Sequence, residues 1–126
     1  VKNKAPVAIN GAFMSHVISV ELESAHELAT RMVPLFKYTS FLMPETSEHY
    51  YKLGERLDVS LTLHDRPCPF YFSTQVTWLF ENRQLPCVLT LLPKDLATGH
   101  RLNYLTHKHK SEYGKLFRSL LNSCAT

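Results

Sequence analysis

Histidine, cysteine and arginine are the side chains of this chain with the most chemistry to offer, and their spacing decides what they can do. Seven histidines and three cysteines invite a metal site. Structural zinc takes four ligands, usually as two close pairs. His64 and Cys68 are separated by a loop, and His107-x-His109 would project to opposite sides of a strand or diverge on a helix. No cysteine pair lies near either, so the histidines read as solvated side chains of a basic segment. Cys68 could serve as a nucleophile beside a histidine, but it stands between Pro67 and Pro69 and reads more simply as a small loop residue. His64-Asp65 is a turn dipeptide before it is a catalytic dyad. The four glycines, 11, 54, 99 and 114, make no phosphate cradle. The expectation is a chain with no catalytic residue, no metal and no cofactor: not an enzyme.

Composition agrees with a single core. With 126 residues and 44% hydrophobic content, one domain is expected. Such a chain buries roughly two-thirds of its unfolded surface and folds without staples. Three widely spaced cysteines, Cys68, Cys87 and Cys124, argue against a disulfide framework and for a reducing compartment, hence a cytoplasmic protein. No apolar run approaches the roughly 18–20 residues of a membrane span, and residues 1–14 lack the charged-then-apolar order of a signal peptide. The formal charge of +3 is mild. A nucleic-acid binder usually carries a denser basic stripe.

The elements that would position any site follow from periodicity. Residues 1–16 read as a flexible leader and, lacking an initiating Met, as the cut or added end of a chain; residues 17–126 read as the domain. Val17–Leu22 is the first strand, with Ile18, Val20 and Leu22 on its buried side. Ser24-Ala25-His26-Glu27 forms a capping box, opening a helix that Pro34 stops at Val33. Thr39–Met43 is the next strand. The centre of the chain is a hairpin. Leu57, Val59, Leu61 and Leu63 alternate with Asp58, Ser60 and Thr62, then Phe70, Phe72, Thr74, Val76 and Trp78 alternate with Tyr71, Ser73, Gln75 and Thr77. The loop between them contains Pro67 and Pro69 and cannot continue a ladder. Cys87–Leu92 reads as a strand buried on both faces, Lys94–Gly99 as a loop or short turn. Leu102 and Leu105, then Tyr113, Leu116, Phe117, Leu120 and Leu121, follow helical spacing. Gly114 weakens that helix by about 1 kcal/mol relative to alanine.

Leu53-Gly54-Glu55, the alternating strand, the Pro-bearing loop and the strand closing on Val76-Thr77-Trp78 resemble the central hairpin of PilZ domains. The similarity extends to the subgroup of that family needed for type IV pilus assembly. Val17-Ile18-Ser19-Val20 and Met32-Val33-Pro34-Leu35-Phe36-Lys37 fall where that subgroup has its first strand and the end of a short helix. Phe41-Leu42-Met43-Pro44, Asn82-Arg83 and Lys115–Leu121 match its next strand, late turn and C-terminal helix. The resemblance implies a mainly β (α+β) fold: a small antiparallel PilZ-type β-barrel with a helix inserted after strand one and a C-terminal helix.

Nucleotide-binding PilZ domains hold cyclic di-GMP with an Arg-x-x-x-Arg motif and a D/N-x-S-x-x-G motif. Paired guanidiniums grip phosphate and stack on guanine, and the glycine lets the backbone approach. Here the arginines are 31, 56, 66, 83, 101 and 118, no two of them four apart, and before Arg31 the cations are Lys2 and Lys4. In the second motif Ser40 is in place, but Tyr38 replaces the acid or amide and Met43 the glycine. The expectation is therefore an adaptor in type IV pilus biogenesis and twitching motility. It would act in cyclic di-GMP signalling by protein contacts, without binding the nucleotide. By resemblance its partners are the pilus extension ATPase and an EAL-domain cyclic di-GMP regulator, with neither nucleic acid nor membrane insertion involved. Two alternatives stand beside it: a nucleotide receptor using rearranged arginines such as Arg31, Arg83 and Arg101, and a small barrel binding single-stranded nucleic acid through Lys94–Lys115.

Candidate partner-binding residues are those more apolar than a small barrel needs at its surface: Met32 and Phe36 on helix one, Tyr50 and Tyr51, and Phe80. The family uses an aromatic residue of its first helix for partner contact, and the matching position is Ala29. For each, the competing reading is a core side chain.

Overall fold

The computed structural model describes the backbone of residues 2–3, 7–9, 13–43, 51–82 and 84–124, and the side chains of 17–43, 51–82 and 84–123. The hairpin is its spine. Strands β5 (Arg56–Leu63) and β6 (Phe70–Trp78) pair antiparallel from Arg56↔Gln75 to Leu61↔Phe70. Burial follows the period of two: Leu57, Val59, Leu61 and Leu63 face the core, as do Phe72, Thr74 and Val76. Thr74, a polar residue on the apolar face, donates its hydroxyl to the Leu57 carbonyl at 2.8 Å, so its hydroxyl is not left unpaired.

The other strands extend this hairpin on both sides. β3 (Phe13–Leu22) lies against β5, and β7 (Val88–Leu91) against β6, with β4 (Ser40–Leu42) on the outer edge of β7. All four residues of β7 are buried, as a strand with neighbours on both edges and both faces covered requires. These five strands form a curled half-barrel. Two short strands, β1 (Lys2–Asn3) and β2 (Val7–Ile9), pair antiparallel with β3, inside the stretch expected as a leader.

Two features correct the expected antiparallel barrel. The sheet is open, with β4 and β3 unpaired with each other, and β3 runs parallel to β5, from His16↔Leu57 to Leu22↔Leu63. A parallel neighbour needs a long crossover, and here the whole segment from Glu23 to Glu55 supplies it. That crossover contains α1 (Ala25–Arg31), which meets both β3 and β4 across the open side. Ala25, Leu28 and Ala29 of α1 are buried there.

The α1 cap differs by one residue from a standard capping box. Ser24 Oγ accepts from the Glu27 amide at 3.3 Å, but the Glu27 carboxylate accepts from the Glu23 amide at 2.7 Å, one residue before the cap. The helix ends at Arg31, two residues earlier than Pro34 requires. Met32 pairs instead with Phe41, and the Val33 amide donates to the Ser40 carbonyl at 2.9 Å.

Helical content is larger than expected. A 3-10 turn at Pro93–Asp95 leads into α2 (Leu96–Thr106), a second 3-10 turn spans His107–Glu112, and α3 (Lys115–Cys124) closes the fold. Of the loop or short turn expected at Lys94–Gly99, Lys94 and Asp95 lie in the 3-10 turn and residues 96–99 open α2. Gly99 hid that first turn, and its reason is close packing: a Cβ there would lie 2.7 Å from Thr39 Oγ1 and 3.6 Å from Leu91 Cδ2. Two apolar clusters result. The larger lies between the half-barrel, α1 and α2; the smaller gathers Val33, Leu42, Phe80, Val88 and Phe117 beneath α3. Trp78 lies beyond a register slip between β6 and β7 and is 38% exposed. Its ring packs edge-on against Phe80 and Phe117, at 6.0 and 5.5 Å between centroids.

Gly114 breaks the C-terminal helical pattern rather than weakening it from within. Its φ of +76° turns the chain between the 3-10 turn and α3, and its amide donates to the Met32 carbonyl at 2.8 Å. Gly114→Ala is expected to cost about 1–2 kcal/mol from the left-handed backbone, with a further push against Pro34 Cδ at 3.4 Å. Thermal unfolding should show a fall of roughly 5 °C or more.

Candidate functional site

The residues singled out for partner contact do not form one surface. Ala29, Met32, Tyr51 and Phe80 are buried, and Phe36 is half-buried. Met32 and Tyr51 belong to the larger apolar cluster, Phe80 and Phe36 to the smaller. Tyr50 lies outside the described residues, as does Arg83. A half-barrel of this size fills its interior with the same aromatic side chains that, in sequence, suggest an exposed patch.

The segment aligned with the second nucleotide motif is also committed to packing. Ser40 Oγ donates to the Tyr38 carbonyl at 2.9 Å and, its one proton so used, accepts from Thr90 Oγ1 at 2.7 Å. Met43 is 1% exposed; its amide donates to the Cys87 carbonyl at 3.0 Å, and its thioether accepts from the Cys87 thiol at 3.4 Å. Arg31 donates to the Met43 carbonyl at 3.1 Å. The side chains here hold the edge of the sheet together.

Three of the described histidines, His26, His64 and His109, have side-chain neighbours near the surface. His64 Nε2 lies 3.3 Å from Glu21 Oε1, and Nδ1 3.5 Å from Glu23 Oε1. The hydrogen bond to Glu21 raises the His64 pKa above its ordinary 6.5, and the Glu23 charge adds to it. The sign follows by linkage. With its folded pKa raised, His64 contributes stability that is fully present below 6.5 and lost as pH rises through the folded value. Glu21→Gln should lower the His64 midpoint in an NMR titration, and an unmoved midpoint would assign the shift elsewhere. His26 and His109 meet edge-on at 4.9 Å, with His26 Nε2 3.7 Å from Glu112. Among the described residues no group of three His, Cys, Asp or Glu side chains is placed to hold a metal ion.

The concavity with the most chemistry lies elsewhere, between the 64–69 loop and α2. It is a groove of about 650 Å³ whose walls include Arg66, His100, Arg101, Tyr104 and Lys108 above Phe70. Leu102, fully buried, and Gly99, pressed on Thr39 and Leu91, seat the opposite face of α2 on the sheet. That seating turns residues 100, 101 and 104 outward on adjacent turns, and Lys108, on the 3-10 turn that follows, is exposed beside them. At the far end Thr106 Oγ1 bonds Tyr113 Oη at 2.6 Å and the Leu102 carbonyl at 2.9 Å, fixing where α2 stops. The Arg101 guanidinium lies over the Phe70 ring, 5.8 Å from its centroid, a cation–π geometry. Tyr104 is 87% exposed.

Among the described residues no carboxylate lines this groove. Asp65, beside Arg66, is exposed and outside the lining; Asp95 accepts from the Ser73 amide at 2.9 Å, and Glu112 binds Lys115 at 2.7 Å, which lowers the Glu112 pKa. The sequence held the signal in part, since residues 100, 101, 104, 105 and 108 repeat at helical spacing. Their meeting with Arg66 joins two distant segments and left no local trace.

Among the described residues no helix is long and apolar enough to cross a membrane. No protein-family model matches this chain, and no curated protein matches it.

Proposed function

We propose that this chain is a PilZ-type adaptor in type IV pilus biogenesis, acting by protein contacts and neither catalysing a reaction nor binding cyclic di-GMP. The observation that carries this reading is Met43. At the position where a nucleotide site needs a glycine for backbone approach, this chain has a long side chain buried against Cys87. Filling that space with core removes the room a guanine nucleotide would occupy, while the strand that displays it is retained. The order of elements supports the same reading. A capped helix follows the first long strand, a Leu53-Gly54-Glu55 turn with Gly54 at φ +88° leads into the long hairpin, and a helix is the last described element. On this reading the nucleotide signal arrives through the EAL-domain regulator and leaves through the extension ATPase, both cytoplasmic partners.

The test is genetic. Deleting the chain in its own cell is expected to abolish surface pili and twitching, and re-expression of the intact chain to restore both. Normal piliation after deletion would overturn the proposal.

A further inference from the structure

We infer that the groove between the 64–69 loop and α2 docks an acidic segment of a partner protein, with one aromatic or branched apolar side chain seated on Phe70 and Leu105. The inference rests on the adaptor reading, to which it adds the chemistry of the partner. Three observations carry it. First, the charge is one-sided: Arg66, Arg101 and Lys108 are exposed cations, and among the described residues no carboxylate faces them. A wall of unpaired cations around an apolar floor is complementary to acids flanking an apolar residue. Second, the shape is elongated. Arg101 on α2 and Lys108 on the 3-10 turn that follows it stand about 11 Å apart by the rises of the two helix types, the span of about three or four residues of extended peptide. Third, the side chains are the kinds that anchor interfaces, with an arginine stacked on a phenylalanine beside a tyrosine that is 87% exposed.

Other anionic ligands fit less well. A nucleotide's phosphates call for converging guanidiniums or backbone amides, whereas these cations are spread along a helix and a loop. Single-stranded nucleic acid calls for a stacking surface for successive bases. Here the half-buried Phe70 and the exposed Tyr104 are the phenyl and phenol rings of the groove, a floor for one apolar side chain rather than a run of stacking faces.

The experiment is a calorimetric titration of the full chain with a short synthetic peptide of Asp and Glu around one central Phe. A matched peptide with Lys in place of the acids, cyclic di-GMP and a thymidine oligonucleotide are titrated in parallel. The acidic peptide is expected to saturate, to weaken with added salt, and to shift amide resonances at 66–70 and 100–108. Arg66→Glu and Arg101→Glu are each expected to weaken it by roughly tenfold or more, and Tyr104→Ala to weaken it with the charge unchanged. All three positions are exposed, so the variants should fold, which their thermal transitions will verify. Equal binding by the arginine variants, equal binding of the Lys peptide, or tighter binding of the nucleotide or oligonucleotide would overturn the inference. The two readings fail separately. If piliation requires the chain but these variants support it and bind the peptide unchanged, the groove is refuted and the adaptor stands. If the peptide seats in the groove and piliation ignores the chain, the reverse holds.

Discussion

Phe41→Ala should lower the stability of the domain by about 3–5 kcal/mol, a large part of the roughly 5–15 kcal/mol available to a domain. Phe41 is fully buried and its ring meets Phe72 edge-on, 6.0 Å between centroids. It also sits at a junction. In β4 it pairs with Leu89, while on its other side it bridges Met32 at the end of α1. β4 is three residues long and forms the open edge of the half-barrel, so it has few other contacts to hold it. Losing the ring therefore leaves a cavity and loosens the link between α1 and the sheet. Urea denaturation should report the loss, with Leu35→Ala, at a side chain 69% exposed, changing stability by no more than about 0.5 kcal/mol. A Phe41→Ala cost under about 1 kcal/mol would mean that β4 is not part of the cooperative core.

Met43→Gly restores the glycine of the nucleotide motif, and it should destabilise the fold without conferring nucleotide binding. Removing a buried methionine costs about 2–5 kcal/mol, and glycine in an extended segment adds about 0.5–1 kcal/mol. The Cys87 thiol loses its thioether acceptor as well. Cyclic di-GMP should still give no heat, because Tyr38 occupies the position of the acid or amide and no two arginines are four residues apart. A stable variant that binds the nucleotide would show that Met43 alone blocks a site otherwise intact.

What the residues disclosed in advance was local. The β5–β6 hairpin, the Ser24 cap and the doubly buried β7 each depend on patterns a few residues long, and each formed where its pattern lay. The parallel pairing of β3 with β5 was not legible, because both antiparallel and parallel neighbours satisfy the same alternation of Ile18, Val20 and Leu22. The choice is made by how α1 and the rest of the crossover pack. The helical spacing of Leu102 and Leu105 lay within α2, but its first turn was hidden by Gly99, a residue that reads as a breaker until its closeness to Thr39 is seen. The partner-contact residues show the limit most clearly. Met32, Tyr51 and Phe80 are apolar enough for an interface and for a core, and residue type does not separate the two. The basic groove was half legible: its cations could be counted, but only the fold brings Arg66 to α2.

Calorimetric titration of the chain with the pilus extension ATPase, and separately with cyclic di-GMP, tests the adaptor reading most directly. Saturable heat with the ATPase and none with the nucleotide is the predicted result. Micromolar or tighter nucleotide binding, with no response to the ATPase, would contradict it and make the chain a receptor whose arginines converge despite their spacing.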